Sequence, residues 1–112
     1  MEERISRKSV DVSGEFKVHR LQIYNYTIDT FGYFQAERYL HKLEEALNTL
    51  HEYYLVYPEC RHIPTKSRMY RNIILDAHII IYRITDKCIE VLDIIHAASS
   101  IRKIRGISNI HL

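Results

Sequence analysis

The chain has few of the residues that interrupt regular structure. Among its 112 residues are three glycines, two prolines, two cysteines and no tryptophan. So little glycine and proline argues against long irregular segments. No apolar run approaches the roughly 20 residues that a membrane-spanning helix needs. Residues 1–4 do not follow the basic-then-apolar order of a secretory signal, and we therefore expect a cytoplasmic protein.

The cysteines and histidines show no spacing that indicates a metal site. Cys60 and Cys88 lie far apart in sequence, and the seven histidines form no His-x-His or His-x-x-x-His pair. Zinc sites usually draw on such closely spaced ligands. In a cytoplasmic chain two separated cysteines are expected to stay reduced. The sequence therefore predicts neither a metal nor another cofactor.

Charge is unevenly distributed, although the formal net charge at pH 7 is only +2. Acidic residues concentrate between positions 29 and 59, whereas two other stretches carry only basic residues. These basic residues are Arg61, Lys66, Arg68 and Arg71 in the first stretch, and Arg102, Lys103 and Arg105 in the second. Basic patches attract phosphates or acidic proteins. The alternative is a solvated rim without a partner.

Two helices are predicted from apolar residues that recur at steps of three and four. The first should begin after Ser13, a favourable N-cap, and end at Gly32. The second should end at Pro58, and the short link at Gly32 makes the pair an antiparallel hairpin. We expect their apolar stripes to lie in the core. The stripes are Val18, Leu21, Tyr24, Ile28 and Phe31, then Ala36, Leu40, Leu43, Leu47, Leu50, Tyr54 and Tyr57.

Three β-rich runs follow, separated by residues 75–77 and 85–87. Such short connections predict antiparallel neighbours. The middle run, residues 78–84, is apolar on both faces, so the helices can cover only one of them. The other face must be covered by the C-terminal tail, another chain, or both. With a short edge strand at residues 5–10, the prediction is a single α+β domain over residues 1–112. It has two layers: a small, twisted, mainly antiparallel sheet with a helical hairpin on one face, in the order β-α-α-β-β-β.

This order of elements resembles the RelE/ParE superfamily of toxins from bacterial type II toxin–antitoxin pairs, and it is closer to the ParE branch. The resemblance covers nearly the whole chain. It rests on an ordered set of residues. In the first half these are residues 5–9 for the first strand, residues 24–32 with Ala36 and Leu40 for the helices, and residues 52–58 for the end of the second helix. In the last three strands and the tail they are Tyr70, Arg71, His78, Tyr82, Arg83, residues 89–92, His96 and Arg102.

The resemblance implies a ParE-like toxin of a plasmid-stabilisation system, which inhibits DNA gyrase by binding it. It also implies that a cognate antitoxin neutralises the toxin. The implied assembly is either a homodimer of the toxin or a toxin–antitoxin heterotetramer. The antitoxin should be short, partly disordered until bound, and acidic where it crosses the basic stretches. The implied binding residues are Arg71, His78, Arg83, His96, Arg102, Lys103 and Arg105.

Two alternatives stay open. RelE-type relatives resemble metal-independent endonucleases that cut messenger RNA on the ribosome. The nuclease candidates here are Arg71, Arg83, His96, Lys66 and Tyr82, with Arg68 and His78 as further choices. Against this, His96 stands where that branch has a late arginine, and the second helix is acidic rather than lysine-rich. The second alternative is an inactive orphan that only binds an antitoxin.

Each candidate also has a purely structural interpretation. Arg71 and Arg83 could pair with Asp76, Asp93 or Glu90 to hold adjacent strands together. Tyr82 could be a core residue, and His96 could cap the backbone of the tail. The tyrosines at positions 53, 54 and 57 could close the core.

Overall fold

The elements follow the predicted order β-α-α-β-β-β and end in a short helix. A computed structural model describes residues 7–112. The elements are β1 (Ser9–Val12), α1 (Gly14–Phe31), α2 (Tyr33–Tyr53), β2 (Tyr70–Leu75), β3 (His78–Ile84), β4 (Cys88–His96), α3 (Ile101–Gly106) and a 3₁₀ turn at Ile107–Asn109. Within the described residues no helix is both long and apolar enough to cross a membrane. The α+β fold class is confirmed.

The four strands form one sheet in the order β1-β4-β3-β2. β1 runs parallel to β4, and the other two pairs are antiparallel. The first strand was expected at residues 5–10 but lies at Ser9–Val12; residues 5 and 6 fall outside the described part. The shift follows from packing, because Val10 and Val12 contact the core beneath the helices.

α1 begins and ends where the sequence predicts. The Ser13 hydroxyl accepts a hydrogen bond from the Phe16 N–H (2.9 Å) and donates to the Leu92 carbonyl (2.5 Å), so the cap also ties the helix to β4. Gly32 ends the helix with φ of 93°, a conformation that favours glycine. Tyr24 on α1 is hydrogen-bonded to Glu37 on α2, as expected for a hairpin.

The predicted buried stripe of α1 is wrong in part. Val18, Leu21 and Phe31 are 54%, 60% and 66% exposed, whereas Phe16 is completely buried and Ile23 packs against the core. α1 carries apolar side chains on several sides, so the periodicity alone does not select the buried side. The Ser13 cap places Phe16 against the sheet, and this sets the rotation of the helix.

α2 packs as predicted but ends earlier. Ala36, Leu43 and Leu50 are buried, while the helix stops at Tyr53 rather than at Pro58. The carbonyl of Tyr54 accepts a hydrogen bond from the Tyr82 hydroxyl, and Arg71 binds two carbonyls further along. These backbone carbonyls accept hydrogen bonds from side chains of the sheet instead of from backbone N–H groups of a continued helix.

The tyrosines after α2 have different environments. Tyr54 is 4% exposed, Tyr57 packs edge-on against Tyr82, and Tyr53 is 49% exposed. Tyr54 and Tyr57 therefore close the core, as the structural interpretation of the tyrosine cluster predicted, and Tyr53 does not.

The second face of the sheet is covered by the chain itself. A separate cluster on this face contains Cys60, Ile63, Ile81, Leu92, Ile95, Ile104 and Ile107. The loop before β2 and the tail after β4 supply four of these side chains. The C-terminal tail, one of the covers expected from the sequence, thus lies on this face, together with the loop before β2. Ile74 on the same face is 68% exposed.

Candidate functional site

Arg83 fastens the tail to the sheet. Its Nε donates to Glu90 Oε1 at 2.8 Å, and its other nitrogens donate to the carbonyls of Ser108 (3.4 Å) and Ile110 (3.2 Å) and to the Tyr70 hydroxyl (3.4 Å). The residue is only 9% exposed. Burial acts to lower the pKa of Arg83, but hydrogen bonds to Tyr70 and Glu90 outweigh it and raise the pKa. The guanidinium therefore stays charged.

Arg71 holds the segment after α2. It donates to the carbonyls of Leu55 (3.1 Å), Tyr57 (2.9 Å) and Arg68 (3.1 Å). Its partners are thus backbone oxygens rather than the carboxylates that the structural interpretation considered. Glu90, in contrast, does pair with Arg83 across the β3–β4 hairpin. Both arginines have partners within the chain.

The two arginines lie on opposite faces of the sheet. Arg71 is on the hairpin side, in line with Ile73 and Leu75, because alternate residues of a strand share a face. Arg83 is on the side of Ile81, where it bonds the tail. A single phosphate at the surface cannot contact both side chains in this arrangement.

The remaining nuclease candidates do not meet at one point either. Tyr82 is completely buried, donates its hydroxyl to the Tyr54 carbonyl (2.6 Å), and has a pKa that burial raises. Lys66 is exposed in the loop before β2. His96 is at the far end of β4, opposite His78. His78 and Arg83 are five positions apart on β3, which corresponds to roughly 16 Å along a strand.

His78 and His96 form a pair at that far end. They are cross-strand partners, and their ring centroids are 5.7 Å apart. His78 Nδ1 is 2.9 Å from the Tyr39 hydroxyl of α2. Burial and the neighbouring His96 lower the pKa of His78. His96 Nδ1 accepts a hydrogen bond from the Ala98 N–H (3.0 Å), so it caps the start of the tail.

A third histidine joins this end of the sheet and was not predicted. His19 Nδ1 on α1 is 2.6 Å from Asp93 Oδ1 on β4, which also accepts the Ile94 N–H at 2.8 Å. The Asp93 side chain is only 7% exposed. The two residues are 74 positions apart, and no local motif marks either of them, so only the folded chain reveals the pair.

Two adjoining depressions open beside these histidines. We call the smaller one, of about 240 Å³, the histidine cavity; its polar lining residues are His19, Gln22, His78, His96 and Lys103. We call the larger one, of about 630 Å³, the aromatic groove; its walls include Ile23, Tyr26, Phe31 and Tyr39. Both depressions are lined by Gln22, Ile23, His78 and His96, so they adjoin at these residues, and we call the pair the cleft.

α3 presents the three predicted basic residues of the tail. Arg102, Lys103 and Arg105 are exposed, while Ile104 packs into the second core. Lys103 reaches the histidine cavity. Of the predicted binding residues, the structure therefore brings together His78, His96 and Lys103 and keeps Arg71 and Arg83 apart from them.

The connection between the helices carries an exposed aromatic cluster, which we call the aromatic tip. Its residues Phe31, Tyr33 and Phe34 are 66%, 65% and 81% exposed. Single exposed apolar side chains are ordinary, but contiguous exposed patches mark interaction surfaces. The predicted apolar stripe of α1 contains Phe31, yet nothing in the pattern indicates that it would stay exposed.

No three histidine, cysteine, aspartate or glutamate side chains within residues 7–112 are grouped so that they could hold a metal ion. Cys60 and Cys88 are both free thiols.

Comparisons with known proteins give one family and a similar fold. The model of the family described as "ParE toxin of type II toxin-antitoxin system, parDE" matches residues 10–101. A solved structure described as the chromosomal ParDE TA system from P. aeruginosa is similar, with a TM-score of 0.66 and 16% identity over 82% of this chain and 98% of that one. At this identity the similarity shows the fold. No curated protein matches the sequence.

Proposed function

The chain belongs to the ParE toxin family of type II toxin–antitoxin systems, and we propose from this that it inhibits DNA gyrase by binding it. The positions of Arg71 and Arg83 are the observation that favours binding over cleavage. Metal-independent cleavage of RNA needs cations and acid–base groups around one phosphate. Here the two arginines lie on opposite faces of the sheet and are hydrogen-bonded within the chain.

The aromatic tip is the surface that we propose for protein recognition. Aromatic side chains are enriched at the centres of interfaces, where a few of them provide most of the binding energy. Val18 and Leu21, further toward the start of α1, are also exposed apolar residues. We propose that the cognate antitoxin neutralises the toxin by covering the surface that gyrase would contact.

The antitoxin is proposed because the similar solved structure is described as a ParDE system, which has two components. An acidic segment of such a partner would suit the exposed Arg102 and Arg105 beside the cleft. A homodimer and a toxin–antitoxin heterotetramer both remain proposals that rest on the resemblance. Gyrase works in the cytoplasm, and we propose that compartment for the toxin as well.

Supercoiling assays with purified gyrase test the proposal. The full chain should inhibit supercoiling, and Phe34→Ala should weaken the inhibition about tenfold, since loss of an interface anchor costs more than about 1 kcal/mol. Ile74→Ala is the matched control, because Ile74 is 68% exposed on the edge strand β2 and away from the hairpin. It should leave the inhibition unchanged.

The alternatives predict different outcomes of the same comparison. Ribosome-dependent cleavage of messenger RNA without any effect on supercoiling would replace the gyrase proposal with the RelE-like endonuclease. If the full chain neither inhibits supercoiling nor causes cleavage of messenger RNA, but binds the product of a neighbouring acidic reading frame, it is an inactive orphan.

A further inference from the structure

The histidine cavity joins side chains from four separate elements. His19 comes from α1, His78 from β3, His96 from β4 and Lys103 from α3. Residues so far apart in sequence meet only because the hairpin and the tail pack beside the same end of the sheet. Neither the core nor the proposed protein-binding surface uses this cluster.

The three imidazole rings form their hydrogen bonds within the protein through Nδ1, so Nε2 is the nitrogen that is available to a ligand. In each ring Nδ1 has a protein partner: Asp93 for His19, Tyr39 for His78 and the Ala98 N–H for His96. No hydrogen bond from any Nε2 of these rings is formed within residues 7–112. The Nδ1 bonds orient the rings, as such bonds do for histidines that bind ligands through the other nitrogen.

The partners also fix which of these atoms can donate. A backbone N–H only donates, so His96 Nδ1 accepts from Ala98 and the ring proton lies on Nε2. His19 Nδ1 lies 2.6 Å from Asp93 Oδ1 and donates to this carboxylate, which orients the ring beside the cavity. With the ammonium group of Lys103, the residues that line the cavity then supply two donors, His96 Nε2 and Lys103 Nζ.

The carboxylates near the cleft are already paired. Asp93 accepts from His19 and from the Ile94 N–H, and Asp76, at the border of the groove, is 3.1 Å from the Lys42 ammonium. A cavity with an imidazole N–H, an ammonium group and no unpaired carboxylate suits an oxyanion. Charge-assisted hydrogen bonds to phosphate are among the stronger ones that proteins make.

The aromatic groove provides the second half of the site. Tyr26, Phe31 and Tyr39 line it together with Ile23, and it adjoins the histidine cavity at His78 and His96, which line both. Aromatic side chains stack on nucleobases of any sequence, with about 1–3 kcal/mol per base. The volume of about 630 Å³ falls in the range of about 300–1,000 Å³ typical of small-molecule sites.

We propose that this cleft binds a nucleotide unit, with its phosphate in the histidine cavity and its base in the aromatic groove. The phosphate contacts are His96 and Lys103, and Tyr26 stacks on the base. Free nucleotides and single-stranded nucleic acid share this chemistry. The inference concerns the isolated chain and does not depend on gyrase binding.

NMR titrations of the full-length, ¹⁵N-labelled protein test the site. AMP should shift the imidazole signals of His19, His78 and His96, and ribose 5-phosphate should shift the same signals at higher concentrations. Adenosine lacks the phosphate and should bind more weakly than AMP. A hexathymidylate probe that binds more tightly than AMP would identify single-stranded nucleic acid as the source of the ligand; weaker binding would identify a free nucleotide.

Two substitutions separate the halves of the site. Lys103→Gln should lower the affinity for both AMP and ribose 5-phosphate by about tenfold, as expected for one charged hydrogen bond. Tyr26→Ala should lower the affinity for AMP only. Lys87→Gln changes an exposed lysine in the β3–β4 turn, serves as the matched control and should change neither.

Three results would overturn the proposal. One is the absence of any imidazole shift at millimolar AMP, and another is an equal effect of Lys103→Gln and Lys87→Gln. The third is equal affinity for AMP and adenosine, which would leave no role for the phosphate. Because no gyrase is present in these titrations, a failure here is distinct from a failure of the proposed toxin activity.

Discussion

Replacing Arg83 tests whether its role is structural or functional. The side chain is 11% exposed and its partner Glu90 is 19% exposed, with Nε and Oε1 at 2.8 Å. Arg83→Met keeps the apolar stem of the side chain but removes the ion pair and the bonds to Ser108 and Ile110. We expect a less stable protein whose tail is held only by its apolar contacts.

The expected loss can be worked out from the geometry. Hydrogen bonds to charged groups contribute about 1.5–3 kcal/mol, and the bond to Glu90 is short and largely shielded from water. The three other bonds measure 3.2 to 3.4 Å, beyond the usual optimum, and should add less. Breaking a buried pair costs about 3–5 kcal/mol. Because Glu90 is partly exposed, we expect the lower end, about 3 kcal/mol.

Urea unfolding followed by circular dichroism measures this loss. Arg102→Met, a change of an exposed arginine on α3, is the control and should stay within about 0.5 kcal/mol of the wild type. A loss below about 1 kcal/mol for Arg83→Met would place the pair among ordinary surface ion pairs and refute the reasoning. If gyrase inhibition nevertheless vanished in that variant, Arg83 would be a contact residue.

Three further substitutions probe the core, the first helix and the cleft. Leu50→Ala empties a fully buried position on α2 and should reduce the free energy of unfolding by about 3 kcal/mol in urea. Ser13→Ala removes the N-cap of α1 and should cost about 1–2 kcal/mol; no change in urea midpoint would contradict the cap's role. The pKa of His78 is below its ordinary value of 6.5 in the folded state, chiefly because of burial. The unfolded chain therefore binds this proton first, so the stabilisation by neutral His78 is complete above that ordinary value and is lost as pH falls toward the folded pKa. His78→Gln should flatten this part of a stability–pH curve, and an unchanged slope would show that His78 does not contribute to it.

The strands could be predicted because their signals are local. Each apolar run is short and bounded by a polar turn, and Asp76 adopts a positive φ of 52° in one of those turns. Once the β3–β4 hairpin is assumed, the opposition of Arg83 and Glu90 follows from its register. These features need no knowledge of the remainder of the chain.

The histidine cavity and the rotation of α1 depend on long-range packing. His19 and Asp93 meet because α1 crosses the end of β4, and neither periodicity nor spacing contains that crossing angle. The tail offered a partial signal, since Ile101, Ile104 and Ile107 recur every third residue. That pattern predicts a buried side but does not say which face of the sheet it covers.

The tail restricts where a protein partner can bind on the second face of the sheet. To reach the part of that face beneath the tail, a partner would have to displace the tail, which breaks the bonds of Arg83 to Ser108 and Ile110 and exposes Ile104 and Ile107. Exposing two buried isoleucines alone costs about 3–6 kcal/mol. A partner on the hairpin has no such cost, because the aromatic tip is already exposed. Equal contact area therefore yields tighter binding on the hairpin, and this difference is the physical reason for proposing that the antitoxin binds there.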